Sequence, residues 1–130
     1  MTAPAFDGAL LAALLQACED ASENDLAQRW LLLEAAHVVG QTRWRPHIRV
    51  HRLVLALAWR TGQWSEVIGQ CYRLALAPLG HLLGRLPVGN PGSARVGAFR
   101  SVPVSPEMAA VLSATRAGLL RPSPGEGEPV

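Results

Sequence analysis

The sequence predicts an all-α fold: a compact bundle of four to five helices with antiparallel helix hairpins and one long Gly/Pro-rich loop. Three observations carry this. Ala and Leu dominate the composition, and both enter helices at little cost. Apolar residues return at three- and four-residue spacing in successive segments. Those segments are separated by residues that cap or break helices.

Phe6, Leu10, Ala13, Leu14 and Ala17 share one helical stripe and predict a first helix over 6–22. Asn24 is placed to cap the second helix, with Asp25 in its first turn. That helix runs through Leu26, Trp30, Leu33 and His37 to Gly40, where a stop is expected. Thr42, Arg43, Trp44 and Arg45 form the turn, and Pro46 falls in the first turn of a third helix. The third helix continues to Arg60 and is closed by Gly62. Ser65 and Glu66 suit the start of a fourth helix, which Pro78 is expected to kink or end. The segment 87–103 reads as a long loop. Ser105, Pro106 and Glu107 start a fifth helix over 106–120, and the tail 121–130 has the composition of a disordered segment.

At 130 residues the chain is expected to form one domain over 1–120. Its formal net charge of +2 is too small to argue for nucleic acid. No apolar run approaches the roughly 20 residues that span a bilayer, and no basic stretch precedes the first apolar segment as in a signal peptide. Cys18 and Cys71 have no paired spacing and read as reduced core thiols. A cytoplasmic protein without membrane or nucleic-acid partners is expected.

The chemistry concentrates in the second and third helices. Glu34 and His37 are the polar side chains of an otherwise apolar run, 30–40, and helical spacing puts them on one face with Trp30, Leu33 and Gln41. A carboxylate on an inward face must find a proton or a cation. On the third helix His47 and His51 lie one turn apart on the stripe of Val54, Leu55 and Ala58, while Arg45, Arg49, Arg52 and Arg60 occupy the opposite side. The tight turn makes the two helices antiparallel, with His37 level with His51, Gln41 near His47 and Glu34 one turn deeper. Glu34, His37, His47 and His51 are therefore candidate ligands of a transition metal ion, Fe, Cu or Zn. Glu34 is alternatively a general base beside the ion. Absence of a second Glu-x2-His argues against a di-iron bundle within one chain.

Further residues resemble a small bacterial family of unknown function. The run Leu33 to Gln41 with its Glu-x2-His and Gly-Gln pairs, then His47 and His51, then Glu66 to Gln70 with Arg73, and the later Gly89-Asn90-Pro91-Gly92 match its pattern over about residues 25–112. Pro91 departs from it, standing where a small polar residue is expected. The resemblance implies kinship of fold, attaches importance to Glu34, His37, His47 and His51, and supplies no activity.

Glu66, Gln70, Arg73 and His81 lie near one face of the fourth helix, which reads first as a solvated face. In the alternative reading, Gln70 and Arg73, with Gln41, support the metal site or wall a substrate. The glycine-rich loop 88–97 lacks a phosphate-loop ending and serves as a wrap or a lid. Two functions compete. One is a small helical metal-binding protein, a candidate metal-dependent oxidoreductase acting on a small molecule or oxygen, with a homo-oligomer open to it. The other is a tetratricopeptide-like interaction module in which the His/Glu cluster is only a buried polar network.

Overall fold

The computed structural model describes residues 5–83 and 104–120. The described residues form five helices and no strands: α1 (Gly8–Asp20), α2 (Leu26–Gly40), α3 (Trp44–Arg60), α4 (Trp64–Leu83) and α5 (Pro106–Leu119). The expected loop over 87–103, its 88–97 part and the tail 121–130 lie outside the described residues.

Short polar side chains set the helix starts. Asp7 accepts the amide of Leu10 at 3.0 Å, Asp25 that of Gln28 at 3.1 Å, and Ser105 that of Met108 at 3.2 Å. Each satisfies one of the amides a helix start leaves open. The cap of α2 is thus Asp25 and not Asn24, whose amide instead donates to Ser22 Oγ. The end of α3 is a left-handed closure. Gly62 has φ +69°, its amide donates to Trp59 O, and that of Gln63 donates to Ala58 O, the paired bonds that favour glycine after a helix.

Two expected stops behave differently. Gly40 is the last residue of α2 but does not end it by a left-handed turn, since Gln41 beyond it is right-handed. A Cβ there would lie 3.4 Å from Pro46 Cβ, about van der Waals contact, so α2 and α3 approach closely at their shared turn. Pro78 does not end α4, which runs on to Leu83. Pro78 lies on the exposed side of the helix, where solvent can replace the helical bond that a proline removes.

The hairpins α1/α2 and α3/α4 pack through α2 and α3, and α5 lies across α1 and α2. The apolar core joins Leu10, Leu14, Leu33, Ala36, Val50, Val54, Met108 and neighbours from α1, α2, α3 and α5. No residue of α4 belongs to it, and among the described elements α4 packs only on α3. No helix among the described residues is long and apolar enough to cross a membrane.

Candidate metal centre

Three histidines meet where the end of α2 crosses the first half of α3. His37 Nε2 lies 3.1 Å from His47 Nε2 and 3.1 Å from His51 Nε2, and the last two are 3.0 Å apart. All three residues are buried. His47 and His51 project together because they are one turn apart on α3, and the short α2–α3 turn brings His37 to both. His37 therefore faces the pair equally, where counting from the turn had set it level with His51 alone. Arg45, Arg49, Arg52 and Arg60 are exposed, as the amphipathic split of α3 requires.

Helix α4 supplies the surroundings. Gln70, fully buried, brings Oε1 to 2.6 Å from His51 Nδ1, and its Nε2 donates to Glu66 Oε1 at 2.7 Å. The carboxylate accepts only from the amide nitrogen, so the amide oxygen of Gln70 must face the ring. His51 consequently carries its proton on Nδ1 and turns the bare lone pair of Nε2 into the cluster. On the other side His47 Nδ1 lies 2.8 Å from His81 Nε2, and His81 packs edge-on against Trp44 at 5.1 Å. All four histidines of the chain thus belong to one connected group.

Burial disfavours the charged form of three of these rings, His47, His51 and His81. Desolvation, reinforced by neighbouring His51, His81 and Arg73, lowers the pKa of His47 to about 3. Desolvation also lowers that of His51, against a rise from the Gln70 hydrogen bond. It lowers His81 as well, and depresses Arg73 while the Glu66 carboxylate opposes the shift. Neutral imidazole is the form that ligates metal.

The spacing fits an ion. Metal–nitrogen bonds of about 2.0–2.1 Å place adjacent ligands about 2.9–3.4 Å apart in octahedral or tetrahedral geometry, and the three Nε2 atoms fall within that range. His37, His47 and His51 could hold a metal ion. Glu34, half-buried one turn before His37, is not a member of this close group.

The face of α4 carrying Glu66, Gln70 and Arg73 is buried, so the solvated-face reading is overturned. Gln70 touches the cluster directly. Gln41 is also buried, and its Oε1 has no hydrogen-bond partner. His81, placed on the same face but not singled out with Gln70 and Arg73, lies against His47. Its spacing from Gln70, Arg73 and Ala77 was the available signal. Cys18 is half-buried and Cys71 exposed; two core thiols were expected. Burial raises the Cys18 thiol pKa.

Residues 6–112 match the model of the family described as Protein of unknown function (DUF3703), and the chain belongs to that family. No curated protein matches the chain, and no solved structure does.

Proposed function

Since the family assigns no activity, we propose from the site itself that the protein binds one transition metal ion, Fe, Cu or Zn, through Nε2 of His37, His47 and His51. The observation that carries this is the buried triangle of ring nitrogens 3.0–3.1 Å apart, into which Gln70 fixes a bare His51 lone pair. Lone pairs converging in a low-dielectric interior repel unless a proton or cation lies between them. Depressed pKa values at His47 and His51 disfavour an added proton on either ring, so the N–H of a neutral ring or a metal cation fills the triangle, and we assign it to the cation.

When bound, an ion held by three neutral imidazoles keeps its full charge and supplies Lewis acidity or redox chemistry to a small molecule or oxygen. The protein's own contribution is orientation. Gln70 and Glu66 fix the tautomer and angle of His51, and His81 holds the angle of His47. Glu34, one helical turn from His37, is the carboxylate we place beside the ion, as a fourth ligand or as a base toward bound water.

Metal analysis of protein purified without a histidine tag tests the proposal. One equivalent per chain is expected, lost in His37→Ala and His51→Ala. Folded, metal-free protein that gains none on titration with Fe(II), Cu(II) or Zn(II) would falsify it and favour a polar network in an interaction module. Glu34→Gln weakens the metal's affinity if the carboxylate ligates and leaves it unchanged if Glu34 acts on bound water.

A further inference from the structure

Helix α4 is amphipathic in the reverse sense for an outer helix. Its buried side carries Glu66, Gln70 and Arg73 with Val67, Ala77 and Gly80. Its exposed positions are Trp64, Ser65, Ile68, Cys71, Tyr72, Ala75, Pro78, Leu79, Leu82 and Leu83, without one charge among them. Trp59 of α3 extends this face, packing edge-on against Trp64 with centroids 5.1 Å apart. A lone surface helix shows the opposite pattern, polar residues outward and apolar residues inward.

We propose that this face is the contact between two copies of the chain, α4 lying against α4 of the second copy. The first argument is area. Trp59, Trp64, Ile68, Tyr72, Leu79 and Leu82 are each between 46% and 82% exposed, and at about 150–250 Å² for a whole aromatic side chain they present together roughly 800 Å². A stable interface of standard size buries about 800 Å² per partner. The second argument is chemistry. A face without charge can meet its own image across a two-fold axis with no like-charge repulsion, but offers nothing to an acidic or basic partner. An interfacial membrane helix needs its polar, cationic side toward the headgroups, whereas the polar side of α4 is buried against α3. The third argument is layering. Among the described elements the backbone of α4 packs on that of α3 alone, so pairing two copies gives the layer order α3, α4, α4, α3 of a helical bundle. Trp59 and Trp64 are rigid aromatic anchors of the kind that dominate interface energies.

The inference is independent of metal binding, because none of these side chains belongs to the histidine cluster. The test is the solution mass of the full chain by light scattering across micromolar concentrations. Twice the 13.9 kDa chain mass is expected for the wild type. Ile68→Glu with Tyr72→Glu should raise the dissociation constant at least 100-fold and give a monomer of unchanged helicity and metal content. If that variant does not fold, Ile68→Ala with Tyr72→Ala should still weaken association at least 10-fold. A monomeric wild type overturns the proposal, as when another segment of the chain covers the face. So does a dimer indifferent to both substitutions, or a monomer that sediments with lipid vesicles through Ile68 and Tyr72.

Discussion

The two sides of α3 face interiors of opposite chemistry. Toward α1, α2 and α5 it contributes Val50, Val54 and Leu57 to an aliphatic core in which Leu10 and Leu14 are wholly buried. Toward α4, and toward His37 at the end of α2, it contributes His47 and His51 to a cluster continued by Gln70, Glu66 and His81. The first interior gains free energy from the area it removes from water. The second costs free energy unless every polar atom finds a partner. A small domain gains no stability from three buried imidazoles that aliphatic side chains would not supply more cheaply. The contrast therefore separates what holds the protein together from the cluster proposed to bind a metal ion.

The strongest way to sharpen that contrast is to cut into the aliphatic side. Leu14→Ala should cost about 2–5 kcal/mol of stability, the range for emptying a packed leucine site, in urea unfolding followed by circular dichroism. The folded variant should retain its metal stoichiometry. Loss of metal from fully folded Leu14→Ala protein would show that the two interiors are not separable.

A smaller effect is expected on the polar side. Gln70→Leu removes the acceptor of the His51 Nδ1–H, and metal affinity should fall about 10- to 100-fold, as it does when a ligand's supporting partner is removed. Competition with a chelator measures it. A variant with unchanged affinity and raised apo stability would mean that Gln70 belongs to a structural network only.

The polar side should also set the pH dependence of stability. The folded pKa of His47 is about 3 and that of His51 is lowered, both from an ordinary value of 6.5. Below pH 6.5 the unfolded chain takes up protons that the folded chain refuses. Stability of the metal-free protein is then complete above pH 6.5 and falls as the pH drops, by up to about 1.4 kcal/mol per pH unit for each such histidine. Thermal melts between pH 6.5 and 5 should show the slope, and His47→Gln should flatten it. An unchanged slope in that variant would place the proton uptake elsewhere.

Much of this was legible from the residues themselves. Apart from the end of α4 beyond Pro78, local rules placed the helices to within a residue or two, because caps such as Ser105 and the left-handed Gly62 act within a single turn. The cluster was legible on α3 for the same reason: His47, His51 and Val54 share a stripe whatever the stripe packs against. Periodicity defines such a stripe but not what covers it. On α4 the apolar residues Trp64, Ile68 and Tyr72 also share a stripe, and one-sided burial would have turned them inward. Tertiary structure turned Glu66, Gln70 and Arg73 inward instead, because α3 presents His47 and His51 to its neighbour and buried nitrogen atoms require polar partners. His81 joined them only because α4 continues past Pro78. The sequence by itself determined the helices and the histidine pair on α3. Only packing decided that His37 meets both of them equally, and that the polar side of α4 closes over the triangle while its apolar side faces outward.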